Sequence, residues 1–174
     1  MILIRKDTMA DVWHLLLDAL VYYGKATAPR NMQISEIIDT TFYIDNALNN
    51  IFVNDERKVA YRFMVAEWLW IWYGRDDVKT ISRYNKNIAK FSDNGVDFNG
   101  AYGVPVKAQW PYLLHTLQND RSTRQAVIQI YKPTISVTKD VPCTLTMQFL
   151  VRDHKLHTIV NMRSSDIWLG LPYD

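Results

Sequence analysis

Cys143, in DVPCTLTMQ, is the single cysteine of the 174-residue chain. A lone cysteine is most often a small buried hydrophobe. It becomes a nucleophile when nearby positive charge favours its thiolate. Pro142 precedes it and keeps the backbone before it extended. Cys143 therefore opens a strand, where its side chain can face a cleft. Arg124 begins the preceding strand-like run and Arg163 ends the following one. Both bring a permanent cation towards the same small sheet.

Each arginine also carries hydroxyls beside it. Arg124 lies in NDRSTRQAV with Arg121, Ser122 and Thr123, and Arg163 is followed by Ser164 and Ser165. A solvated loop is the plain explanation of either group alone. Two such groups in one small chain suggest a phosphate monoester, since guanidinium forks and hydroxyls match phosphate oxygens. Glu67 sits in AEWLWIWYG, among tryptophans. Burial there raises a carboxyl pKa and makes a proton-transfer group; a surface glutamate is the alternative. Asp166 and Asp174 serve either as caps or as readers of a ligand's hydrogen-bonding edge. The four histidines show no metal-ligand spacing, so no metal site is expected.

These residues need elements to hold them. Helical spacing over residues 8–23 predicts a helix with Val12, Leu15, Leu16, Ala19, Leu20 and Tyr23 on one face. Thr8 or Asp11 would cap it and Gly24 would end it. Residues 32–45 read as a strand and 46–50 as a break or short helical turn. Residues 55–73 read as a helix, and 76–90 as a short helix plus loop. Three glycines make 91–103 a turn-rich loop, and 109–119 a helix with Pro111 near its first turn. Three strands follow, in QAVIQIY, CTLTMQFLV and KLHTIVNMR, the last two joined by RDHK as a hairpin. Helices first and consecutive strands last predict one α+β domain over residues 1–174, with a mixed, largely antiparallel sheet and helices on one face. The net charge of +2 gives no support to nucleic-acid binding, and no apolar run is long enough to span a membrane. One cysteine and no leader-like N-terminus fit a reducing cytoplasm. A 13% aromatic content leaves room for a stacking site for a flat ligand.

VPCTLTMQF together with NMRSSDIWLGLPYD resembles the thymidylate synthase and pyrimidine (deoxycytidylate) hydroxymethylase family. AEWLWIWYG is similar to the family's catalytic-glutamate helix, FNGAYG to its active-site tyrosine loop, and APRNMQISEI, more loosely, to its mobile arginine segment. The resemblance implies Cys143 as nucleophile, Glu67 in proton transfer, Tyr102 assisting at C5 and Asp166 as the family's acid. It implies Arg163, Ser164, Arg124, Arg121 and Arg30 around a 5′-phosphate, with Arg121 and Arg124 supplied across a homodimer. Thr123 stands where a second arginine often does.

The same resemblance implies a pyrimidine nucleotide monophosphate as substrate and 5,10-methylenetetrahydrofolate as one-carbon donor. Asp174 stands where thymidylate synthases usually have Asn. A carboxylate accepts from cytosine's N4 amine and protonated N3, whereas a carboxamide suits uracil. Hydroxymethylation of dCMP is therefore expected, with dUMP methylation or a non-catalytic nucleotide-binding fragment as alternatives. Relative to the family pattern, the chain is expected to lack a C-terminal part.

Overall fold

A computed structural model of the chain describes residues 1–132 and 137–173. The chain divides into two compact units, residues 1–59 with 166–174, and residues 60–165.

The first unit holds β1 (Ile2–Lys6), α1 (Met9–Tyr23), β2 (Lys25–Thr27), β3 (Ile34–Glu36) and β4 (Thr40–Ile44). The Thr8 side chain accepts from the Asp11 amide at 3.2 Å and starts α1. The helix ends at Gly24, where a Cβ would lie 2.1 Å from Ser35 Oγ and 2.3 Å from the Leu20 carbonyl oxygen. Met9, Val12, Trp13, Leu16 and Ala19 form its buried face, whereas Leu15 and Tyr23 are exposed. Trp13 is wholly buried. Its indole N–H donates to the Ile167 carbonyl at 2.7 Å, and its ring meets Phe52 and Trp168.

Two expectations fail here. The strand expected over 32–45 is two strands, because Asp39 takes a positive φ of 63° and turns the chain between them. β3 then pairs antiparallel with β2, and β4 pairs parallel with β1. β1 itself was not anticipated; five residues at a chain end offer too short a pattern.

The second unit holds α2 (Tyr61–Trp72), α3 (Val78–Ile81), α4 (Gly103–Asn119), β5 (Val127–Gln129), β6 (Thr144–Arg152) and β7 (Lys155–Met162). The helix expected from residue 55 starts later, since the Asn54 side chain accepts from the amides of Glu56 and Arg57 and forms a local turn. The helix expected over 109–119 starts earlier, at Gly103, and Pro111 lies inside it. Gly103 lets α4 approach α2; a Cβ there would lie 2.6 Å from the Ile71 carbonyl oxygen.

β5, β6 and β7 form an antiparallel sheet in that order. Asp153 and His154, both at positive φ, make the two-residue turn of the β6–β7 hairpin. Leu113 of α4 packs with Ala126, Ile128 and Ile130, and Met147, Phe149 and Tyr102 close over them. Paired residues share a face, so Val160 and Thr158 continue the face of Met147 and Phe149, and on β7 both are exposed.

Candidate active site

Cys143 is half-buried at the entry to β6. Its Sγ lies 3.8 Å from Ser164 Oγ and 3.8 Å from Arg163 Nη2. Arg163 is brought there by the sheet: Thr144 pairs with Met162, and the Arg163 amide donates to the Cys143 carbonyl at 2.9 Å. The guanidinium then turns back on the chain. Nε donates to the Pro142 carbonyl at 3.0 Å, Nη2 to the Val141 carbonyl at 2.9 Å, and Nη1 to Ser164 Oγ at 3.3 Å. A thiol, a hydroxyl and a fixed cation thus share one spot, the arrangement a thiolate nucleophile needs.

Tyr102 reaches the same segment from the start of α4. Its hydroxyl accepts from the Cys143 amide at 3.2 Å and from the Thr144 amide at 3.4 Å. The turn-rich loop before it holds the approach to Cys143. Asp140 accepts from the Gly100 amide at 2.8 Å, and its carbonyl accepts from the Asn99 side chain at 3.3 Å. Burial pushes the Asp140 carboxyl above the ordinary carboxylate range, and the charge of Asp93 adds to this; the Gly100 amide opposes them. Asp93 itself accepts from Thr138 and from the Lys139 amide, which hold it below that range. Sequence reasoning missed Asp140. Its one signal is an acid three residues before the cysteine and a glycine-rich loop with amides to offer.

The remaining expected residues fall in different places. Glu67 is half-buried on α2, in the same unit as Cys143. Arg124 is exposed just before β5, and its carbonyl accepts from the Gln148 side chain. Arg121 is exposed and lines a cleft with Ser122, Arg152, Asp153 and His154 at the hairpin. Both arginines therefore sit towards the opposite end of β6 from Cys143. At about 3.3 Å per residue, Gln148 lies roughly 16 Å and Arg152 roughly 30 Å along the strand from Cys143. Thr123, which stands where a second arginine often does, is buried and accepts from the Gln125 amide, so it shapes the turn.

Asp166 belongs to the first unit, where Oδ1 accepts from the amides of Trp168 at 2.9 Å and Leu169 at 2.8 Å. It acts as a cap there, and Oδ2 takes no hydrogen bond among the described residues. Arg30, also in the first unit, is exposed in a tight turn at φ 53°. Asp174 lies outside the described residues. Among the described residues no cluster of three His, Cys, Asp or Glu side chains could hold a metal ion, and no helix is long and apolar enough to cross a membrane.

Residues 13–174 match the family described as thymidylate synthase. The chain belongs to the thymidylate synthase family. It is 34% identical over 174 residues to a deoxyuridylate hydroxymethyltransferase of Bacillus phage SP01, covering 89% of this chain and 45% of that protein. It is 29% identical over 132 residues to a thymidylate synthase of Bacillus subtilis subsp. natto, covering 68% and 47%. The chain thus spans about half the length of the curated relatives it matches. The fold is that of thermostable thymidylate synthase A from Bacillus subtilis, at TM-score 0.75 and 23% identity over 95% of this chain and 68% of that one. The expected α+β architecture is therefore the observed one.

Proposed function

We propose that this member of the thymidylate synthase family transfers a one-carbon group to C5 of a pyrimidine deoxynucleotide monophosphate, with hydroxymethylation of dCMP as the reaction. The observation that carries it is Cys143 Sγ, 3.8 Å from both Ser164 Oγ and the Arg163 guanidinium. In this reading the Cys143 thiolate adds to C6 of the ring. The C5–C6 π pair moves towards C5 and makes it a carbon nucleophile. Arg163 and Ser164 bind the 5′-phosphate with the N–H and O–H groups they have left, Glu67 moves protons, and Asp174 reads the cytosine edge.

Methylenetetrahydrofolate would supply the carbon at the oxidation level of formaldehyde. Asp166 Oδ2, with no hydrogen bond among the described residues, is an acceptor of the kind a heterocycle bearing N–H donors takes. The distance of Arg121 and Arg124 from Cys143 supports a homodimer. An oxyanion held by Arg163 is out of reach of both within one copy, so they would serve the site of the other.

A second reading is supported by relatives named deoxyuridylate hydroxymethyltransferase, which favour dUMP as the acceptor. One incubation separates the readings: protein, dCMP, dUMP and methylenetetrahydrofolate, with nucleotide masses read afterwards. A hydroxymethyl gain on dCMP is expected. A hydroxymethyl or methyl gain on dUMP moves the acceptor base, and a methyl gain moves the product as well. No gain on either overturns catalysis by this chain and leaves nucleotide binding. Cys143→Ser should abolish any gain while nucleotide binding survives.

A further inference from the structure

We infer that Tyr102 is a positioning residue that acts through Cys143. The inference rests on Cys143 being the nucleophile. A phenolic oxygen has two lone pairs and one proton to offer. Here the amides of Cys143 and Thr144 both donate to it, at 3.2 and 3.4 Å. Both acceptor positions of the phenol are therefore spent on the backbone of the nucleophile's own segment.

The same two amides show what the hydroxyl does. The ladder between β6 and β7 is irregular between Thr144 and Thr146, where the nucleophile's strand begins. Side chains pin the backbone there. Arg163 holds the carbonyls of Val141 and Pro142 from one side, and Tyr102 holds the amides of Cys143 and Thr144 from the other. Four consecutive residues thus have a main-chain group fixed by one of two side chains. The Tyr102 ring is anchored in turn against the cluster of Leu113, Ala126, Ile128 and Ile130. The helix α4 therefore sets the direction in which Sγ points.

Tyr102→Phe keeps the ring and its packing and removes only the hydroxyl. The first readout is amide hydrogen exchange at Cys143 and Thr144. The second is the pH profile of iodoacetamide alkylation of Cys143, without nucleotide or folate. The inference expects exchange at both amides to quicken at least fivefold and the alkylation rate to change at least twofold. Packing alone would lower the melting temperature without moving either. Both readouts at parental values while turnover is lost overturn the inference. Should Tyr102→Phe not fold, exchange in the parent decides. The amides of Cys143 and Thr144 must be at least tenfold slower than those of Asp153 and His154, and equal rates overturn the inference. Neither readout requires turnover, so failure here is distinct from failure of the proposed reaction.

Discussion

Arg163 offers the sharpest test of the site, because its charge and its distance to sulfur are both fixed by the fold. Replacing it by Gln removes the cation 3.8 Å from Cys143 Sγ and keeps an amide donor for one of the carbonyls. Two unit charges at that separation attract by about 1 kcal/mol in water and about 4 kcal/mol at an effective dielectric constant of 20. Arg163 is exposed, so the lower figure applies. Losing about 1 kcal/mol corresponds to roughly a fivefold change in rate, so alkylation of Cys143 by iodoacetamide at neutral pH should slow by up to about fivefold in the variant. At about 1 M salt, where the screening length is roughly 3 Å, the two rates should draw together. Equal rates at low salt, with the variant folded, would refute electrostatic support of the nucleophile by Arg163.

Asp174→Asn should shift relative turnover from dCMP towards dUMP; an unchanged ratio in competition removes Asp174 from base recognition. Thr8→Ala should cost about 1 kcal/mol of stability through loss of the α1 cap, read as a lower urea midpoint with an unchanged slope. Asp140→Asn tests the buried carboxyl. Its folded pKa is raised, so its contribution to stability is complete below the ordinary carboxylate value of about 4 and is lost as pH rises through the folded value. Asn can retain an acceptor for the Gly100 amide without that loss. The melting temperature of the variant should thus gain on the parent across that window and stay level above it, whereas parallel curves would count against a buried charge. Arg163→Ala should weaken nucleotide binding far more than nucleoside binding, and equal losses would remove the phosphate from its role.

The legible parts of the chain were those whose signals are local. Thr8 and Gly24 bracket α1, and RDHK closes the hairpin, because cap and turn chemistry is decided within a few residues. Cys143 at the mouth of a strand, with Arg163 at the end of its neighbour, also followed from strand order. The split at Asp39 did not, since a single left-handed residue inside a β-branched run leaves the pattern of alternation almost intact. The start of α4 was hidden because glycine and proline at its first turn read as loop, while its packing on α2 is a tertiary fact. The Tyr102 hydroxyl meets amides 41 and 42 residues away, and Asp140 meets an amide 40 residues away. No periodicity encodes such contacts. For Asp166 the sequence left cap and ligand reader open, and the structure shows the cap on one oxygen while leaving the other exposed.

The placement of Arg121 and Arg124 at the far end of β6 has a genetic consequence. If each copy lends those arginines to its neighbour, a catalytic unit is not the product of one chain. Two defective alleles, one Cys143→Ser and the other Arg124→Ala, would then rescue each other. Random pairing puts half of the dimers in mixed form, and each of these holds one site with both its thiol and its borrowed guanidinium intact. Mixing the two inactive proteins after unfolding and refolding should return roughly a quarter of the parent rate. By the same logic, a Cys143→Ser chain spoils only its own site, whereas an Arg124→Ala chain spoils its neighbour's.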